Sequence, residues 1–259
     1  MSSFADAGGT VRYDGASAAD LAVQLDLPRV LLHAEVPSTM DVAHEAAAAG
    51  APAGTLVIAD AQTAGRGRLG RHWTAQSSAG VWFTLIERPA SGDNFEALPL
   101  RVGLELAPAL DAFAGEPVRL KWPNDLHLRA GKLAGVLSEA RWRGGGTAPD
   151  WIAIGVGINV RAPVSEGRAA GLPAGVRRVD VLAAAVRAVR RAASRLAALS
   201  DVERGRFAER DLAAGRRCTA PVPGRVAGID AAGALLVDVG GTVAVLRSGS
   251  LVLQPESAS

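Results

Sequence analysis

Val118-Arg119-Leu120-Lys121-Trp122, closed by Pro123-Asn124-Asp125, is followed by two further apolar runs, Lys132–Ala140 and Trp151–Val160. The reading of these three runs decides the fold class. In the first, Val118, Leu120 and Trp122 share one face and Arg119 and Lys121 the other, which is the period of a strand. The second begins seven residues after Asp125, and Gly144-Gly145-Gly146 lies between the second and the third. Connections this short cannot hold a crossover helix, so the pairing is antiparallel and a simple βαβ fold is excluded. The expectation is an α+β fold: a mixed, largely antiparallel sheet with helices.

Upstream, Val30–Glu35, Thr55–Ala59 and Val81–Ile86 read as strands. Ser38 reads as the N-cap of a helix that Gly50 ends, with Asp41 approximating a capping box. Leu98–Phe113 carries apolar residues at helical spacing, and Pro108 is expected to bend or split it. Residues 1–28 read either as a mobile arm or as a strand and helix docked on the main domain, with a helix around Ala18–Leu25; they are too few for a helix-turn-helix domain. Downstream, Leu182, Val186, Val189, Ala193 and Leu196 recur at intervals of four and three with arginines opposite, an amphipathic surface helix. A shorter helix follows at Val202–Leu212. From Arg216 onward the chain turns to short strands (Val226–Ile229, Leu235–Val239, Val243–Leu246, Leu251–Leu253), which read as a small β-barrel.

The 259 residues suffice for one large domain and a small one. Hydrophobic residues at 49% and charged residues at 21% exclude general disorder. A net charge of +2 is too small to suggest a nucleic-acid binder, so any basic site must be local. The single cysteine, Cys218, has no partner for an internal disulfide and no ligand spacing with the four histidines, which points to a reducing compartment without structural zinc. No secretory signal is visible, and no apolar run approaches the roughly 18 residues needed to span a bilayer. The expected location is the cytoplasm, with no membrane and no nucleic-acid partner.

Only two of the 28 basic residues are lysines, Lys121 and Lys132. Lysine is a compact point charge and arginine a rigid planar fork, so a chain this biased toward arginine has reason to keep two lysines for work the fork cannot do. Gly65-Arg66-Gly67-Arg68-Leu69-Gly70-Arg71-His72-Trp73 alternates residues whose backbone can approach a ligand with side chains that donate to phosphate or carboxylate. It is neither a Walker loop nor a dinucleotide fingerprint. An anion-wrapping loop, a solvated Arg/Gly loop and an RNA-binding segment are the competing readings. Asn124 and Asp125, set by Pro123, either form a plain turn or project an amide and a carboxylate over a site, and a hairpin would bring Lys132 to them. Gly155 and Gly157 inside an apolar strand mark close approach of a ligand or of neighbouring backbone.

Ser38-Thr39, Gln62 with the Gly65–Trp73 loop, Lys121–Asp125, Gly131–Leu137 with Glu139, and Ile154–Asn159 together resemble the biotin–protein ligase family, in that family's order, over about residues 30–160. The tail, with Gly228-Ile229-Asp230 and Gly233-Ala234-Leu235-Leu236, is similar to its small SH3-like domain. The resemblance implies a catalytic domain of the type shared with lipoate ligases and class II aminoacyl-tRNA synthetases. It also implies an arm at 1–28, a catalytic domain at 29–212 and an SH3-like domain at 213–259, in a monofunctional enzyme without an N-terminal DNA-binding domain. Biotin and ATP would give biotinyl-5′-AMP and pyrophosphate, and a lysine of a biotin carboxyl-carrier domain of an acyl-CoA carboxylase would take the biotinyl group.

By the same resemblance, biotin would be bound by Ser38, Thr39, Met40, Gln62, Gly65, Arg66, Gly67, Arg68, Lys132, Gly135, Gly155 and Gly157. The nucleotide would meet Arg68, Arg71, Trp73, Asn124, Lys132 and Asn159, and the catalytic set would be Lys132, Arg68, Asp125 and Lys121. Mg²⁺ would come with ATP, held by phosphates and water, without a dedicated metal cluster. Met40 stands where many relatives have asparagine, which leaves a backbone contact. Ser248-Gly249-Ser250-Leu251 departs from the usual Gly-Glu-Val. Ala64–Trp73 and Arg161–Gly175 are expected to be mobile without ligand. A lipoate–protein ligase is the alternative enzyme, and a homodimer stays open.

Overall fold

Seven strands form the main sheet: β1 (Arg29–Val36), β2 (Thr55–Gln62), β3 (Gly80–Glu87), β4 (Arg119–Lys121), β5 (Asp125–Leu128), β6 (Gly131–Arg141) and β7 (Trp151–Asn159). Their order is β1-β2-β3-β7-β6-β5-β4, and every pair except β1–β2 is antiparallel. The parallel pair is joined through helix α2 (Thr39–Ala48), so one crossover unit opens an otherwise antiparallel sheet. The fold is thus the mixed, largely antiparallel α+β class that the short connections predict. A computed structural model describes residues 11–90, 93–143, 148–163 and 169–255. The Gly144–Gly146 turn, residues 1–10 of the arm and residues 164–168 of the 161–175 loop lie outside the described residues.

Strand alternation divides the sheet into two unlike faces. Ile152, Ile154, Val156 and Ile158 of β7 enter the main core with Leu56, Ile58, Phe83 and Leu85, beneath α1 (Ala18–Leu25), α3 (Leu98–Ala114) and α4 (Arg178–Ala193). The intervening positions face α2, where Met40, Ala43, Ala47, Val57, Ile86 and Trp151 make a smaller core. Beyond the end of α2 that face holds Gly155, Gly157 and Gly135, and it is left open for the site.

Two expectations are corrected. Pro108 does not split α3, which runs unbroken from Leu98 to Ala114. Proline leaves the carbonyl four residues earlier without its N–H, and here the Arg206 guanidinium from α5 (Asp201–Arg210) donates to that Leu104 oxygen at 2.9 Å. Asp41 does not close a capping box; its carboxylate pairs with Arg66 at 2.6 Å, and Ser38 caps α2 by accepting from the Met40 N–H at 3.3 Å. The arm is docked from residue 11 onward. Tyr13 is fully buried and donates to the Gly80 carbonyl, while Arg178 bonds Asp14 and Asp60 and lies over the Tyr13 ring.

The tail forms a second, antiparallel sheet of β8 (Arg217–Ala220), β9 (Gly224–Ile229), β10 (Leu235–Val239), β11 (Thr242–Leu246) and β12 (Val252–Leu253), in the order β11-β10-β9-β8-β12, consistent with an SH3-like module. It is tied to the edge of the main sheet. Trp122 Nε1 donates to the Gly233 carbonyl at 2.9 Å, and just before the tail the Leu212 N–H donates to the Leu120 carbonyl at 2.8 Å.

Candidate active site

The β4–β5 and β5–β6 hairpins carry the two lysines to one place. Lys121 pairs across from Asp125 in register, and Lys132 Nζ reaches the Asp125 Oδ1 at 2.7 Å. Asn124 is fixed at the turn by donating from Nδ2 to the Val136 carbonyl at 2.7 Å, which leaves its amide oxygen free of that bond. The loop after β2 folds back on itself: Trp73 N–H donates to the Gly65 carbonyl and Gly67 N–H to the Arg71 carbonyl, both at 2.8 Å. Its exposed tip is Leu69, and its indole lies against β6 and β7. A Cβ on Gly157 would sit 2.5 Å from the Trp73 ring and one on Gly135 at 3.2 Å, so these paired glycines make a floor for the indole. The Lys132 ammonium lies 5.0 Å from that ring's centroid, a cation–π contact. The indole Nε1–H is buried with no partner among the described residues.

These elements enclose a cleft with two chemically distinct ends. At the buried end Thr39 donates from its backbone N–H to Gln62 Oε1 at 2.8 Å, its hydroxyl lies 3.1 Å from the same oxygen, and it meets the Thr84 hydroxyl at 2.9 Å. With Gln62 Oε1 occupied in this way, the amide Nε2 is left to donate, as is the Ser38 hydroxyl, which only accepts from Met40. At the open end stand Arg68, Arg71, Lys121 and Lys132, and among the described residues Asp125 is the one carboxylate in the wall. Burial pushes Lys121 below the ordinary lysine range, and Lys132, Arg71 and Arg216 push the same way against Asp125. Burial likewise lowers Arg68, with Asp125 opposing. His127, next on the same face of β5, is driven by burial to about 4, so it adds no further cation at neutral pH. The cleft is therefore built for an anion at one end and a neutral polar group at the other.

Among the residues expected from sequence, Ser38, Thr39, Met40, Gln62, Arg66, Gly67, Arg68, Arg71, Trp73, Lys121, Asn124, Asp125, Lys132, Gly135, Gly155 and Gly157 all line this cleft. Gly65 and Asn159 do not. Gly65 stands behind the loop, where a Cβ would meet the Trp73 carbonyl at 2.4 Å. Asn159 is buried and donates to the Lys132 carbonyl at 3.3 Å, so it acts on the strand that bears Lys132. The Met40 side chain is buried in the wall, its Cε 2.8 Å from where a Gly155 Cβ would be.

Sequence reasoning missed Thr84, Phe83, and the Gly249-Ser250-Leu251 turn of the tail, which closes one side of the cleft and accepts from Arg71 at the Ser250 Oγ, 2.7 Å away. Thr84, a polar residue inside the apolar strand Val81–Ile86, carried a signal that was available. The tail turn carried none, because only docking brings it there.

A mixed sheet with α2 on one face, a glycine floor, a looped cluster of cations and a polar end make a cleft suited to an anion beside a small neutral polar group. A family model described as "Biotin/lipoate A/B protein ligase family" matches residues 32–159. The "Biotin--[acetyl-CoA-carboxylase] ligase" of Mycobacterium tuberculosis is 34% identical over 218 residues, covering 77% of this chain and 79% of that protein. The "Bifunctional ligase/repressor BirA" of Bacillus spizizenii is 40% identical over 126 residues, which are 48% of this chain but only 38% of that protein. The solved biotin protein ligase of Aquifex aeolicus in complex with biotin and ATP superposes with a TM-score of 0.71 at 25% identity, covering 89% of this chain and all of that one. The chain belongs to the biotin/lipoate A/B protein ligase family.

Proposed function

We propose that this protein is a biotin–protein ligase. It activates biotin with ATP to biotinyl-5′-AMP and transfers biotin to a lysine of a carboxylase biotin-carrier domain. The observation that carries this reading is the two-ended cleft, with free donors at the buried end and lysines and arginines at the open end. Donors from Gln62 Nε2 and Ser38 suit a ureido carbonyl, which needs partners once it leaves water. The apolar floor and walls between the ends suit a ring and an aliphatic tail.

In the first step a carboxylate oxygen of biotin attacks the α-phosphorus, the bond to the β-phosphate breaks, and pyrophosphate leaves. Negative charge accumulates where two anions already repel, and preorganised cations lower that cost. Lys132, oriented by Asp125 and the Trp73 face, is the point charge between carboxylate and α-phosphate; Arg68 and Arg71 close from the loop; Lys121 adds its charge from β4. The Trp73 Nε1–H and the Asn124 amide oxygen are the groups left for the nucleotide. In the second step the acceptor amine attacks the acyl carbon and AMP leaves with its phosphate.

Asp125 is the only carboxylate in the wall and no cluster of three or more His, Cys, Asp or Glu side chains exists among the described residues. That donor set suits Mg²⁺ carried in by the polyphosphate, where it would neutralise phosphate charge.

Among the described residues no helix is long and apolar enough to cross a membrane. We take the protein to act in the cytoplasm, the carrier domain to be that of an acyl-CoA carboxylase, and the chain to divide at residues 28/29 and 212/213. The change of sheet after α5 supports the second boundary. A homodimer would fit against β1, the outer strand of the main sheet.

The test is ATP–pyrophosphate exchange with biotin or lipoate as the only acid. Exchange with biotin is the expected result; exchange with lipoate alone, or with neither, overturns the reading.

A further inference from the structure

Met40 is 3% exposed and belongs to two environments at once. It lies in the small core under α2 with Ala43, Ala47, Val57 and Trp151, and it lines the buried end of the cleft beside Thr39 and Gln62. Its terminal methyl hangs over Gly155: a Cβ built on that glycine would stand 2.8 Å from Met40 Cε, with the Leu137 carbonyl at 3.4 Å and the Thr84 hydroxyl at 3.6 Å. Gly155 has no strained backbone that would account for a glycine; it pairs regularly with Leu137 and Thr84 in the middle of β7. Its missing side chain is matched by a long neighbouring one. Methionine is the side chain best able to fill such a space, being unbranched and freely rotatable.

We infer that Met40 and Gly155 form a matched size gauge at the buried end of the cleft. The thioether fills the space over the glycine, and the pair fixes how large a ring system the cleft accepts. The inference rests on the biotin reading above and goes further, making an apolar side chain, rather than the polar cluster beside it, the element that limits the head group.

The physical consequence is a coupled pair. A methyl at 155 is crowded only by the end of a flexible chain, the Leu137 and Thr84 oxygens being at ordinary contact distance, so Gly155→Ala folds, but Met40 must swing toward the ligand and the cleft shortens. One methylene too many in an apolar pocket costs about 10- to 200-fold in discrimination. Shortening Met40 to alanine removes the obstruction, and the double variant regains the lost space. Val57→Ala, which loosens the same small core without touching the cleft wall, is the control for packing.

The experiment measures pyrophosphate exchange, with KM for biotin and for ATP taken separately, in the wild type, Gly155→Ala, Met40→Ala, Val57→Ala and the Met40→Ala/Gly155→Ala double variant. Gly155→Ala is expected to raise the KM for biotin about tenfold or more with the KM for ATP unchanged, Val57→Ala to leave the KM for biotin near the wild type, and the double variant to recover most of the loss. A Gly155→Ala enzyme with unchanged KM for biotin, equal rises in both KM values, or a double variant as poor as the product of the two single effects overturns the gauge. A wild type with no biotin-driven exchange overturns the functional reading instead, so the two failures are distinct.

Discussion

Lys132 is held on three sides: by the Asp125 carboxylate at 2.7 Å, by the Trp73 ring, and by the bare Cα of Gly135, whose missing Cβ would stand 3.3 Å from the ammonium. A planar guanidinium is a broader group than the ammonium these three neighbours hold. Lys132→Arg is therefore expected to lose roughly a hundredfold or more in biotin-dependent exchange although the charge is kept, in line with the loss of one preorganised group at a reacting oxyanion. Near-normal exchange by this variant would show that charge alone suffices. Lys121 gives a pH signature. Its folded pKa lies below the ordinary lysine value, chiefly through burial, so its cation is lost earlier as pH rises. The alkaline limb of the exchange rate should fall below the ordinary lysine range. Lys121→Arg, which stays charged, should move that limb upward; an unmoved limb assigns it to another group.

The loop between β2 and β3 divides its arginines by where they point. Arg66 is half-exposed and neutralised by Asp41, Arg71 is bonded to Ser250, and Arg68 is turned into the cleft, where Asp125 is the carboxylate that opposes its burial. If Arg68 retains the reactive mixed anhydride, removing it gives leakage more than inactivity. A charge-assisted contact is worth about 1.5–3 kcal/mol, so release should speed up roughly ten- to a hundredfold. Arg68→Gly mixed with biotin, ATP and albumin should biotinylate the albumin well above wild type. Normal exchange with no extra bystander labelling would remove Arg68 from that role. The antiparallel elements and the amphipathic α4 were legible because their periods and short connections are local properties. The course of α3 through Pro108 was not, since it depends on an arginine about a hundred residues away.

For the whole molecule, the tail lines the cleft. Gly249–Leu251 closes one side of the cleft, and Ser250 bonds the loop through Arg71. Ser250 holds Arg71 through a neutral hydroxyl, leaving its charge uncancelled. Ser250→Ala should free Arg71 and raise the KM for ATP about two- to tenfold, the loss of one modest hydrogen bond. The KM for biotin should stay as it was; a change in both would mean that the tail shapes the entire cleft.

By itself the sequence determined the sheet class, the two lysines as the chemical singularities, the Arg/Gly loop and most of the cleft wall. The first three rest on spacing, turn residues or composition, which are written within a few residues of chain; the cleft wall came from the resemblance of the ordered motifs to a known family. Only the tertiary structure decided that Asp41 latches Arg66, that Asn159 serves the strand beneath Lys132, that Trp73 and Met40 fill the room left by Gly157 and Gly155, and that the tail lines the cleft. Those outcomes depend on which side chains meet across the fold. Close packing makes such meetings specific to within a methyl group, and no local pattern records them.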